Sequence, residues 1–189
     1  MAKPALPATK LSCFTSKLRL INLCIGQSIA WLSFFIVVIT SVVVVERYWF
    51  ASGSIRLQES ISFMHAAVFM LAAAYTLAAG DHVRVDIFYS SMSPRNKAWV
   101  DLLGTVFLLL PFCIFLIWTS WDYVETSWVI QESSSETGGL PYPFPTIMKS
   151  FIPIAGALLI LQGVAMSLEA LQVLQFPNHL SNGHNKGKA

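Results

Sequence analysis

Four long runs without a formal charge divide this chain: residues 20–45, 60–80, 102–121 and 150–168. At about 1.5 Å of rise per residue, each is long enough to cross the roughly 30 Å hydrocarbon core of a bilayer as a helix. Inside lipid, backbone N–H and C=O groups must bond within the segment, and a run of this length does so as a helix. The expected fold is an all-α membrane protein: four transmembrane helices in two hairpins, with amphipathic segments at the interface. The bulk composition agrees, since 55% of the 189 residues are hydrophobic and 12% are charged. A soluble domain carries about twice that charge. The first run follows Lys3, Lys10, Lys17 and Arg19, as the apolar core of a secretory leader would. Its 26 residues exceed the roughly 7–15 of such a core, so it reads as a retained span.

The same numbers exclude several kinds of function. A formal charge of +2 gives no basis for binding nucleic acid. Cys13, Cys24 and Cys113 show no metal spacing, and an odd count in these places is no disulfide framework. They read as small apolar residues. No phosphate loop, zinc signature or nucleophile elbow is present. No catalytic residue, metal or cofactor is expected.

The connections carry the detail. Residues 1–17 are polar, with Pro4 and Pro7, and are expected to be a disordered tail. Tyr48, Trp49 and Phe50 close the first run and fit an interfacial aromatic belt. The second run is rich in alanine, from Ala66 to Ala79, which lets helices approach closely in lipid. Gly80-Asp-His-Val-Arg-Val-Asp-Ile-Phe-Tyr then links it to the third. There Val83, Val85 and Ile87 alternate with His82, Arg84 and Asp86 as in a strand, whereas Val85, Phe88, Tyr89 and Met92 share a helix face. Periodicity leaves both open, and either suits the interface plane.

Further on, Ser93-Pro94 reads as N-cap and first helical position. Pro111 stands mid-run and predicts a kink unless neighbours satisfy the freed carbonyl. Past Asp122 the helix continues to about Gln131. Glu132 to Pro141 breaks it, with Gly138-Gly139 supplying the permissive backbone. Pro153 falls in the first turn of the fourth span, where it is tolerated. Residues 173–189 form a polar tail.

Orientation follows from lysine and arginine. The N-terminal tail has four, the second connection three (Arg84, Arg95, Lys97) and the C-terminal tail two (Lys186, Lys188), nine in all. The first connection (Arg47, Arg56) and the third (Lys149) carry three. The nine belong in the cytoplasm, with both termini.

No Asp, Glu, Lys or Arg lies at depth within the runs. Such residues mark ion and proton routes, so the chain does not look like a pump or carrier by itself. His65 is the one titratable side chain inside a span, and it reads as an interhelical or interfacial residue rather than a haem ligand. Gln27 and Gln162 read as amides that hold helices together. Glu132 and Glu136 suit either a docking patch for an outer partner or a solvated loop, and composition favours the loop.

One set of segments, in order, carries a resemblance. It comprises Glu46-Arg-Tyr, Gln58-Glu-Ser, the Gly80–Tyr89 stretch, Ser127-Trp-Val-Ile-Gln-Glu-Ser-Ser, Gly138-Gly-Leu-Pro and Leu161-Gln-Gly. From about residue 20 to 172 the chain resembles the small membrane subunit, DctQ-like, of tripartite ATP-independent periplasmic (TRAP) transporters. The resemblance implies a four-span scaffold in the bacterial inner membrane. It implies two protein partners, a large multi-span permease subunit and a periplasmic solute-binding protein, with the lipid bilayer as surroundings. The expected role is non-catalytic: bracing the permease for ion-gradient-driven uptake of an organic acid. The residues then expected at subunit or interface contacts are Arg47, Glu59, His82, Arg84, Asp86, Ser127, Trp128, Glu132, Ser134, Gly138, Gly139 and Gln162. The alternative is a four-helix membrane anchor of a redox enzyme, with His65 or His82 on haem. A third reading, a small carrier acting as a homodimer, suffers from the lack of a buried carboxylate.

Overall fold

The computed structural model of the chain describes residues 10–79, 89 and 92–175, with side chains of the first helix described from Thr15 onward. Its elements are α1 (Lys10–Trp49), α2 (Ile55–Ala79), α3 (Pro94–Gly104), one π-helical turn (Thr105–Leu109), α4 (Leu110–Val129) and α5 (Phe144–Gln175). There is no strand among the described residues. Because α3, the π turn and α4 run on as one rod, four helices are long and apolar enough to cross a membrane. The fold is the all-α, four-span bundle that the uncharged runs predict.

Each of the four spanning helices is longer than the roughly 30 Å hydrocarbon core is thick. The 40 residues of α1 span about 60 Å, twice the hydrocarbon thickness. α1 starts at Lys10, inside the segment expected to be a tail. Likewise α5 starts at Phe144 rather than near Ser150, so Pro153 lies inside the helix and not in its first turn.

α5 is the central helix, touching α1, α2, α3, the π turn and α4. Small residues make this possible. A Cβ on Gly156 would meet Ile117, and one on Gly163 would press on Thr105 and Leu109. The alanine-rich α2 buries Ala67, Ala74 and Ala78, yet α5 is the more buried of the two. Gly26 lets α1 close on α2, since a Cβ there would strike the Tyr75 ring.

Pro111 sits at the start of α4, directly after the π turn. Its ring would crowd the carbonyl four residues back, and a wider turn relieves that clash. The sequence predicts a kink at this proline; what stands there is the π turn. Ser93 caps α3 as predicted, with extended backbone (φ −62°, ψ 154°) and its Oγ accepting from the Asn96 N–H.

One amide pair crosses the core. Asn22 Nδ2 donates to Gln162 Oε1 at 3.1 Å, and these residues are only 1% and 3% exposed. The amide of α1 that meets Gln162 is thus Asn22, whereas Gln27 is exposed.

Candidate functional site

The polar side chains that the sequence spreads over 90 positions gather at one end of the bundle. There α2 begins, α4 ends and α5 begins. The segment 130–143 crosses between them, and two carboxylates fasten it.

The exit from α4 starts the arrangement. Gln131 takes a left-handed conformation (φ 49°), its N–H donates to the Trp128 carbonyl, and the Glu132 N–H donates to the Ser127 carbonyl. This pair of bonds closes a helix C-terminus by capping its last carbonyls. It also points Glu132 back toward the bundle.

Glu132 is the first fastening. Its Oε2 accepts from Ser127 Oγ at 2.6 Å and from Lys149 Nζ at 2.5 Å. Lys149 in turn lies 4.1 Å above the Tyr123 ring centroid. Beneath them Ser127 Oγ and Thr146 Oγ1 are 3.2 Å apart, with Thr146 fully buried and Ser127 1% exposed. Alongside, Trp128 Nε1 donates to Ser150 Oγ at 3.1 Å, and the Trp128 ring packs edge-on against Tyr142. The segment just after α4 is therefore bonded to the first two turns of α5. The Lys149 ammonium, then the Ser127 hydroxyl, hold the Glu132 carboxyl below the usual carboxylate range.

Glu59 is the second fastening. It stands in the second turn of α2, ahead of the uncharged run. One oxygen accepts from the Ser134 hydroxyl and the other from the Leu140 N–H at 2.6 Å. Ser134 and Leu140 face each other across the neck of the loop, where the Ser134 N–H donates to the Leu140 carbonyl at 3.0 Å. One carboxylate thus closes a loop of seven residues and ties it to α2. The Ser134 hydroxyl, then the Leu140 N–H, lower its pKa. Arg56, one turn earlier, donates to the Gly138 carbonyl at 3.2 Å.

The glycines fit this closure. Gly138 has φ +85°, a conformation that favours glycine. At Gly139 a Cβ would collide with Ser134 and crowd Glu59. The Phe63 ring packs below against Phe144 and Phe151, with centroids 5.8 and 5.4 Å away.

The structure brings Glu59, Ser127, Trp128, Glu132, Ser134, Gly138 and Gly139 together. Arg47, exposed at the end of α1, takes no part in this network. Gln162 is spent on Asn22 inside the bundle. His82, Arg84 and Asp86 lie outside the described residues. Sequence reasoning did not single out Asn22, Arg56, Thr146 or Lys149 as contacts. The signal for Asn22 was its amide within an apolar run. For Lys149 it was a lone cation beside an otherwise acidic connection.

Nothing in this network resembles a reaction centre. Its carboxylates are bonded to hydroxyls, an amide and an ammonium that hold the chain, and His65 is exposed on α2. Among the described residues no three His, Cys, Asp or Glu side chains are placed to hold a metal. Fold and site together define a multi-pass helical membrane protein whose polar residues fasten its own helix ends.

The family model described as the DctQ component of tripartite ATP-independent periplasmic transporters matches residues 36–173. The match covers most of the chain, which belongs to this family. It is therefore a transporter component and not an enzyme, and the redox-anchor alternative falls. No curated protein and no solved structure matches the chain.

Proposed function

We propose that this chain is a scaffold subunit of a TRAP-type secondary transporter. It sits in the bacterial inner membrane and transports nothing by itself. It braces a large permease subunit, which takes up an organic acid from a periplasmic binding protein at the expense of an ion gradient. Both termini lie in the cytoplasm, and the loop 130–143 faces outward.

The observation that carries this reading is the division of polar groups. The uncharged runs hold no Asp, Glu, Lys or Arg, so the bundle offers no charged ion site at depth. The ionic side chains of the described site instead tie α2, α4 and α5 at one end, through Glu59 and Glu132. A bundle locked at its end suits a part that stays fixed in the bilayer while a partner moves. The broken helices typical of a substrate site are also missing from the described rods, apart from the π turn before Pro111.

The test in cells is deletion. Without this chain, uptake should be lost while the binding protein still binds its acid. Cells that keep full uptake without it would refute the reading.

A further inference from the structure

A cleft of about 250 Å³ opens between the start of α2, residues 132–140 and the start of α5. Apolar Phe63, Phe144 and Met148 line it together with charged Glu59, Glu132 and Lys149. Small-molecule sites run to about 300–1,000 Å³, so this cleft is small for an independent solute. A single side chain suits a cleft of this size better.

The charges lining the cleft are unevenly used. Glu59 spends both oxygens on the loop. Glu132 accepts both of its bonds on Oε2, which leaves Oε1 free to accept. Lys149 is engaged by Glu132 and by the face of Tyr123. Among the residues that line the cleft, two carboxylates, Glu59 and Glu132, stand against one ammonium, Lys149. Clefts lined mainly by one sign of charge concentrate partners of the other sign.

We infer that this cleft receives a basic side chain, lysine or arginine, from the periplasmic binding protein as it docks on the transporter. The aliphatic stem of that side chain lies on Phe63, Phe144 and Met148, and its cationic head meets Glu132 Oε1. Such side chains commonly bury the stem on apolar surface and keep the head at a polar rim. The inference rests on the scaffold reading above, which supplies the partner.

The test uses this chain and its large subunit together in lipid nanodiscs, with the acid-loaded binding protein as the probe. Ser133→Arg fills the cleft with a cation from within and leaves both fastenings in place. It should raise the Kd for the binding protein about tenfold, the loss expected of one charge-assisted contact. Ser133→Ala should leave Kd within about twofold, as surface changes do. Met148→Arg, from the start of α5, should act like Ser133→Arg, and retained exchange protection of the Leu140 amide shows that the loop is intact. On the binding protein, one Lys or Arg replaced by Ala should weaken docking on the unaltered complex and have no effect on the Ser133→Arg complex. Unchanged Kd in both arginine variants, or the same Kd with this chain left out, overturns the inference. Uptake without the chain is a separate measurement, so failure of the scaffold reading is distinguishable from failure of the cleft.

Discussion

Lys149 bonds Glu132 across 17 residues of chain, Nζ to Oε2 at 2.5 Å. The pair joins the segment after α4 to the start of α5, and Ser127, Thr146 and Tyr123 complete the fastening from below and beside it. An exposed ion pair contributes little by itself. This one has a second role, because the same carboxylate oxygen takes a hydroxyl from the helix that is ending. Removing Glu132 therefore releases two helix ends at once.

The Glu132 pKa is lowered in the folded chain, which fixes the sign of its pH dependence. A depressed carboxylate contributes stability that is present above its ordinary value of 4.5 and is lost as pH falls through the folded value. The fastening should therefore hold at neutral pH and open only in acid below that ordinary value. Amide exchange in residues 130–135, followed against pH, should show this opening. Glu132→Gln should remove the Lys149-linked part of it and leave faster exchange at neutral pH.

Glu59→Ala takes away the acceptor shared by Ser134 and Leu140. The Leu140 amide should then exchange about tenfold faster, as expected when one charge-assisted bond is lost. The spanning helices should keep their own protection, because their backbone bonds are internal. If Leu140 exchange is unchanged, Glu59 does not close the loop.

Asn22 and Gln162 make a buried pair in which Asn22 Oδ1 has no partner among the described residues. Asn22→Leu strands the Gln162 carbonyl and should destabilise the bundle by about 1–2 kcal/mol. Adding Gln162→Leu should recover part of that loss, since two apolar groups replace two amides. A double-mutant cycle in detergent measures the coupling, and additive effects would contradict it.

The four spans were legible as elements because charge is forbidden at depth, but the helices run past the charges that bound the runs: Asp101 and Asp122 both lie inside helices. The Ser93-Pro94 cap and the loop turn at Gly138 were legible because local backbone chemistry dictates them. The resemblance also placed Gln58-Glu-Ser and Gly138-Gly-Leu-Pro in one set, and the structure joins them through Glu59 and Leu140. What could not be read were bonds over long separations. Glu59 meets Leu140 across 81 positions, and periodicity carries no information at that range. Asn22 was hidden for a different reason, since it adds no charge to an apolar run. Pro153 was misplaced because the last charge before the fourth run, Lys149, was taken as the helix edge. Phe144 to Lys149 belong to the helix as well, projecting from the apolar run.

The orientation proposed from lysine and arginine has a direct test. In a variant without its own cysteines, Ser135→Cys should react with a membrane-impermeant maleimide in intact cells. Asn96→Cys, in the first turn of α3, should react only after permeabilisation. The reverse pattern would invert the topology.

The central claim is that this chain supports transport without performing it. Liposomes with an inward sodium gradient, the binding protein and its acid outside, test it most directly. They would contain this chain alone, the large subunit alone, or both. Uptake should appear with both subunits and not with either one alone. Acid accumulating in liposomes that hold only this chain, or undiminished uptake by the large subunit alone, would contradict the account.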